Sequence, residues 1–302
     1  MIAYKETKIL ITGTNGFLGK NILNYIKKKE YKIFSIVRKK KLNYPKNFLT
    51  VESDIGNLNI HTLDKIKKFK PTIVLNLAWN GIPDYSYENC FKNIKEQISF
   101  FNNIKKIKSI KKIICIGSCW EYPEKIGKCK VKNKLNMESY FSWSKQTIYN
   151  FIKLITKKNK IDLVWFRIFF MYGRYQKNSS LIPLIILSLK NKKFPKINNP
   201  QNRNDFIFVD DVCEAIMFAI KKKNINGIFN LGSGNTFSVQ IILKKIIKNL
   251  NINVKNKKFI AKKNKKTKYN YSDNKNTFNK LRWIAKTNID QGIKKMIEFY
   301  YE

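Results

Sequence analysis

Along the first 170 residues, short apolar runs alternate with longer segments whose apolar positions recur every three to four residues. The runs "KILITG" (8–13), "KIFSIVR" (32–38), "FLTVESD" (48–54), "TIVLNLAW" (72–79), "KKIICIGSC" (111–119) and "DLVWFRIFF" (162–170) read as strands. Segments 17–29, 60–69, 86–109 and 140–157 read as helices between them. Most of these strands are apolar on both sides, so both faces of the sheet are covered, and the strand–helix rhythm implies parallel pairing. Right-handed crossovers then give a doubly wound α/β fold.

After residue 170 the rhythm loosens. Residues 191–206, rich in proline and asparagine, read as a loop; 206–222 returns to strand and helix; 227–234 is a strand with a glycine turn. The lysine-rich stretch 254–270 reads as a loop or ribbon. The expected organisation is a dinucleotide-binding domain over 1–170 and a smaller, interleaved substrate lobe over 171–302, with 204–229 returning to the main domain.

Composition changes this picture little. The chain has 302 residues, 61 Lys+Arg against 20 Asp+Glu and a formal charge of +41, yet only five of those cations are arginines. Nucleic-acid binders lean on arginine, so the bias reads as A/T-rich codon usage, and no specific nucleic-acid partner is expected. The five cysteines form no Cys-x-x-Cys, and the single histidine, His61, argues against a His-based zinc site or a Ser–His–Asp triad; no metal is expected. No apolar run approaches 18 residues and no signal-peptide core is evident, so a cytoplasmic protein without membrane insertion is expected, as a homodimer.

The chemistry begins at "ITGTNGFLG", where Gly13, Gly16 and Gly19 stand between the first strand and the first helix. Gly13 permits a tight turn, Gly16 lets backbone approach a pyrophosphate, and Gly19 allows close helix–strand packing. The helix start adds unpaired N–H groups for the phosphates. Asn15, Phe17 and Leu18 lie in the same loop and are expected to line the cofactor. The second strand ends at Arg38, followed by Lys39 and Lys40, where an acid would hold a ribose 2′-OH; cations there favour NADP over NAD.

Ordered motifs along nearly the whole chain resemble the extended short-chain dehydrogenase/reductases, the NAD-dependent epimerase/dehydratase family that acts on nucleotide sugars. They are "TGTNGFLG", "SDI" (53–55), "NLAW" (76–79), "IGSCWEY" (116–122), "SYFSWSK" (139–145), "FRIFFMYG" (166–173), "NDFIFVDDVCEA" (204–215), "FNLGSGNTFSV" (229–239) and "LRWIAKTNIDQGIKKMI" (281–297). The resemblance implies a Rossmann fold. It implies that Asp54 and Ile55 flank the adenine and that the run from Asn76 through Leu77 and Ala78 to Trp79 lines the cofactor cleft. Ser118 would orient the substrate, and Lys145 would hold the nicotinamide ribose. Trp120 and Arg203 are the expected substrate contacts, Arg203 on its diphosphate.

One position departs from the family's pattern. A Tyr-x-x-x-Lys pair puts both groups on one helix face, but four residues before Lys145 stands Phe141, and Tyr140 is one residue too early. Tyr149 and Lys153 have the spacing two turns late. Three readings stay open: Tyr140 or another group transfers the proton, Phe141 replaces an original tyrosine, or the site binds cofactor with lost or altered catalysis. Ser118 is followed by Cys119 and Trp120 rather than by an Asp–Glu pair, and Glu121 is one place too far along, which disfavours 4,6-dehydration. The expected chemistry is hydride transfer at a sugar carbon, as 4-keto reduction or 4-epimerisation.

Overall fold

The computed structural model describes residues 7–27, 31–40, 44, 48–124, 126–135, 137–252 and 269–302. Of the stretch 254–270, all but the last two positions lie outside the described residues. Seven strands form the main sheet: β1 (Lys8–Thr12), β2 (Lys32–Val37), β3 (Phe48–Glu52), β4 (Ile73–Asn76), β5 (Lys112–Ser118), β6 (Asp162–Ile168) and β7 (Gly227–Leu231). Their spatial order is β7-β6-β5-β4-β1-β2-β3, every pair parallel. The order reverses between β1 and β4, and in such sheets the crevice at the carboxyl ends of those strands is where ligands bind.

Nine helices are described: α1 (Phe17–Ile26), α2 (Ile60–Phe69), α3 (Tyr87–Ile104), α4 (Tyr140–Asn159), α5 (Leu181–Lys190), α6 (Val209–Lys221), α7 (Val239–Asn249), α8 (Lys275–Leu281) and α9 (Ile289–Tyr301). Side chains alternate across each strand, so successive residues enter different cores. Ile9 and Ile11 of β1 join Ile22 of α1 and Ile216 of α6, while Leu10 joins Ile66 of α2, Phe101 of α3 and Ile152 of α4. The sheet is thus covered on both faces, as the apolar strand pattern requires.

One expectation needs correction. The strand expected over 162–170 ends at Ile168, because the chain then turns away from the main sheet: Phe169 N donates to Leu231 O and Phe170 N to Asp205 O. Phe170–Tyr172 pairs instead with Phe206–Phe208, a parallel ribbon outside the main sheet. Below it lies a third core, in which Tyr172, Phe206 and Phe208 pack with Ile185 of α5, Ile242 of α7 and Ile293 of α9. Helices α5, α7, α8 and α9 are absent from the sequence reading. Among the described residues no helix is long and apolar enough to cross a membrane.

Candidate active site

The glycine loop is built as its spacing demands. Gly13 has φ +78°, and a Cβ there would stand 2.7 Å from Ala78 N. A Cβ on Gly19 would stand 2.1 Å from Gly13 O, so helix and strand meet at a separation only glycine allows. Gly16 caps α1 in extended conformation and no side chain caps the helix start. The first N–H groups of α1 therefore remain for an anion. Gly13, Asn15, Gly16, Phe17, Leu18 and Gly19 all line one cleft of about 670 Å³. Asn15 Nδ2 donates to Lys39 O, and Tyr44 Oη reaches both Thr14 Oγ1 and Asn15 Oδ1, which ties the chain beyond β2 to the loop.

The residues expected at the adenosine, Arg38, Asp54 and Ile55, follow β2 and β3 and are not part of the cleft lining. Arg38 is exposed just past β2, and Glu52, paired with Val37 across on β3, accepts from Lys40 N at 2.7 Å. Asp54 accepts from Gly56 N and opens the short turn that holds the nearly buried Ile55. Burial, then the neighbouring Asp54 charge, pushes the Glu96 carboxyl of α3 above its usual range, with Arg38 and Lys92 opposing.

At the other end, α4 starts with a capping box: Ser139 Oγ accepts from Ser142 N, and Ser142 Oγ accepts from Ser139 N. The helix is therefore regular from Tyr140 onward, and its register decides which ring faces the cleft. Phe141 and Lys145, one turn apart, point inward and both line the cleft. Lys145 is only 6% exposed; its Nζ donates to Ile116 O at 2.9 Å and lies 3.8 Å from the Trp79 ring centroid. Burial pulls its ammonium down to about 8. The Phe141 ring is 5.6 Å from that nitrogen and carries no proton to give.

Aromatic rings wall this end. Phe141 packs against Trp79 at 5.2 Å, Tyr85 at 4.8 Å and Trp120 at 5.7 Å between centroids. Trp79 and Tyr85 ride on the loop after β4, which is tied to α3 by side chains spaced four apart on one helix face. Asn93 Oδ1 accepts from Asn80 N and Asn93 Nδ2 donates to Asn80 O, while Asn89 Nδ2 donates to Asn80 O and to Asp84 O. Gln97 Nε2 donates to Ala78 O, and Gln97 Oε1 accepts from Asn76, itself bound to Thr12. The indole N–H of Trp79 is buried without a partner among the described residues, a donor left over for a ligand.

Ser118, at the carboxyl end of β5, lines the cleft with Trp120 and caps the short turn that follows by accepting from Trp120 N. Glu121 turns the opposite way. It is fully buried, accepting from Ser118 N, from Trp165 Nε1 and from Arg167 Nε at 2.8 Å. It is a core ion pair beneath the serine, out of reach of the cleft.

Five expected site residues are absent from the cleft lining: Arg38, Asp54 and Ile55, which follow β2 and β3, and Tyr140 and Arg203. Tyr140 is 55% exposed and stacks edge-on against Tyr87, on the outer side of α4. Arg203 donates to Thr236 O at 2.6 Å and to Thr236 Oγ1, under the Tyr269 ring, and is absent from the cleft lining. Tyr149 packs on Trp165 inside the fold. The sequence reading missed Tyr85 and Lys177, which line the cleft, and the ties from α3. The Asn-x-x-x-Asn-x-x-x-Gln spacing over 89–97 was a signal for the ties; a lone loop tyrosine carries none.

A doubly wound sheet with a glycine-rich first turn and a serine and a lysine sharing the cleft beyond it defines a dinucleotide-binding protein of the short-chain dehydrogenase/reductase class. The sequence profile of the NAD dependent epimerase/dehydratase family matches residues 9–232, and the chain belongs to that family. It is 23% identical over 314 residues to the dTDP-4-dehydro-6-deoxyglucose reductase of Escherichia coli, covering 97% of this chain and 98% of that protein. It is 25% identical to a trifunctional UDP-glucose 4,6-dehydratase/UDP-4-keto-6-deoxy-D-glucose 3,5-epimerase/UDP-4-keto-L-rhamnose-reductase of Arabidopsis thaliana, spanning 48% of that protein's length. Among solved structures, dTDP-glucose 4,6-dehydratase from Bacillus anthracis in complex with NAD has a TM-score of 0.82 at 23% identity, over 98% of this chain and 96% of that one. Relatives within the family are nucleotide-sugar reductases, epimerases and dehydratases.

Proposed function

We propose that the protein reduces the 4-keto group of a nucleotide-activated sugar with NAD(P)H, 4-epimerisation being the neighbouring reaction of the same site. The observation that carries this reading is the meeting of Ser118 and Lys145 in one cleft that runs on into the uncapped start of α1. The glycine loop fits a pyrophosphate, since Gly16 meets only Gly13 O at 3.2 Å and is open beyond. In this reading Gly13 to Gly19 hold the diphosphate, Arg38, Asp54 and Ile55 the adenosine, and Leu77, Ala78, Trp79 and Lys145 the nicotinamide riboside. The bound nicotinamide supplies the hydride. Ser118 donates a hydrogen bond to the keto oxygen, and the buried Lys145 charge favours the negative charge that develops there. Trp120 and its neighbouring rings stack on the sugar.

The Escherichia coli relative is named as a reductase of a 4-keto group, which supports the reductase reading; the name of the Arabidopsis thaliana relative holds such a reduction beside 4,6-dehydration and 3,5-epimerisation. Among the described residues no carboxylate lines the cleft, and Glu121 is held by Arg167, which weighs against 4,6-dehydration. NADP(H) is the preferred cofactor, on the strength of the exposed Arg38 beside Lys39 and the engagement of Glu52 by Lys40. The reading includes a reducing, cytoplasmic setting, supported by five buried free thiols. It also includes a homodimer, supported by the exposed aromatic patch of Tyr87, Phe91 and Tyr140. Phe141 favours a second reading, a cofactor-binding protein that turns over slowly or not at all. Oxidation of NADPH followed by absorbance, on adding dTDP-4-keto-6-deoxyglucose and its UDP counterpart, separates the two: turnover supports the reductase, and tight NADPH binding without turnover supports the second reading.

A further inference from the structure

We propose that Tyr85, from the loop after β4, is the proton donor of this cleft. The proposal rests on the reductase reading above and supplies the group that the start of α4 lacks. Tyr85 lines the cleft with Ser118 and Lys145. Its ring centroid is 4.8 Å from Phe141 and 4.8 Å from Trp120, so it stands against the side chain that shares a helix face with Lys145.

The loop under it is fixed from both sides. Before Tyr85, the Asn80 peptide is held at its N–H and its C=O by Asn93. Directly before it, Asp84 N donates to Gly81 O and Asp84 O accepts from Asn89. Directly after it, Ser86 N donates to Asp84 Oδ1 and the Ser86 hydroxyl caps α3. A donor pinned in this way holds its position without reorganising during the reaction.

The hydroxyl itself has no hydrogen-bond partner among the described residues, and the side chain is half-buried rather than sealed, so the proton is free for a ligand. Burial, with the Cys119 and Cys90 thiols adding to it, raises the phenol above its ordinary value, so it stays protonated through neutral pH. That state suits a donor in reduction more than a base in oxidation. The other phenols fit less well. Tyr140 faces outward on Tyr87, Tyr149 packs on Trp165, and Tyr175, at the opposite rim, packs on Phe299 beneath Lys20.

The step balances as a reduction. Hydride from the reduced nicotinamide adds to the sugar C4, the C=O π bond breaks, and the new alkoxide oxygen takes the Tyr85 proton. The carbonyl is reduced to an alcohol, the nicotinamide is oxidised, and the phenolate regains a proton from water.

The test is Tyr85→Phe in the full chain, which removes one oxygen that bonds to no described residue. Single-turnover oxidation of NADPH with dTDP-4-keto-6-deoxyglucose should slow by about 10²–10⁴-fold. NADPH affinity, read by tryptophan fluorescence, should be unchanged. Adding Phe141→Tyr to that variant, which restores a phenol beside Lys145, should recover at least tenfold. A Tyr85→Phe variant with an NADPH oxidation rate within twofold of the wild type overturns the assignment and leaves the reductase reading standing. A wild type that oxidises no NADPH overturns the reductase reading. The assignment is then judged on binding of the alcohol dTDP-6-deoxyglucose with NADP⁺: weakening of fivefold or more in Tyr85→Phe supports a phenol at O4, and equal binding overturns it.

Discussion

Lys145 Nζ sits 3.8 Å from the centroid of the Trp79 indole while donating to Ile116 O, so the buried ammonium is held between a ring face and a main-chain carbonyl. Neither partner carries a charge. Cation–π attraction and one carbonyl offset only part of the cost of taking an ammonium out of water, which is why burial pulls its proton affinity down to about 8. The loop after β4 that carries Trp79 and the helix turn that carries Lys145 are thereby joined in the cleft.

That shift gives two pH effects of opposite sign. Turnover should fall as pH rises through about 8, when Lys145 loses the charge that favours the developing alkoxide. Stability moves the other way for this group. Its unfolded value is 10.5 and its folded value about 8, so between these the unfolded chain binds more protons and stability rises with pH. Buried thiols such as Cys115, raised from 9.0 to about 12, oppose this, because unfolded thiols release protons that folded ones keep. The lysine is therefore isolated by comparison with Lys145→Met. Urea unfolding at pH 7.5 and 9.5 should show the wild type gaining on the variant at the higher pH; a constant difference contradicts the shift.

Cofactor choice turns on Arg38. NADPH should bind more tightly than NADH in fluorescence titrations, and Arg38→Asp should reverse the order, since the carboxylate repels a 2′-phosphate and accepts from a 2′-OH. Equal affinities in the wild type would remove the argument.

Glu121 should matter for folding before it matters for chemistry. Glu121→Ala leaves Arg167, which is 1% exposed, without its carboxylate. Breaking a buried pair from one side costs about 3–5 kcal/mol. It also frees Ser118 N, so Ser118 should lose its position too. Chemical denaturation should report the loss; a change below about 1 kcal/mol would mean that water or another group replaces the carboxylate.

The first half of the fold was legible because most of its strands are buried on both faces and each helix on one, so burial wrote itself into the sequence as period. The glycine loop was legible for a similar reason: a Cβ at Gly13 or Gly19 would overlap backbone, leaving one residue type possible. The second half was not. Helix α5, "LIPLIILSLK", is apolar almost all round, and α9 contains Gly292, whose missing Cβ makes room for the Tyr172 hydroxyl. Both depend on contacts distant in sequence. The site divided the same way. Lys145 and Phe141 followed from helix register, while Tyr85 lies on a loop whose path is set by Asn89 and Asn93, and Arg203 was drawn off by Thr236.

In the proposed reaction this cleft delivers hydride to C4 of a nucleotide-bound keto sugar. The most direct measurement uses NADPH deuterated at the transferred position of the nicotinamide C4, dTDP-4-keto-6-deoxyglucose and the full chain, with the sugar product read by proton NMR and mass spectrometry. The expected product is one mass unit heavier, with deuterium at C4 on a single face and the H4 signal absent. A recovered sugar without deuterium, or deuterium at any other carbon, contradicts it.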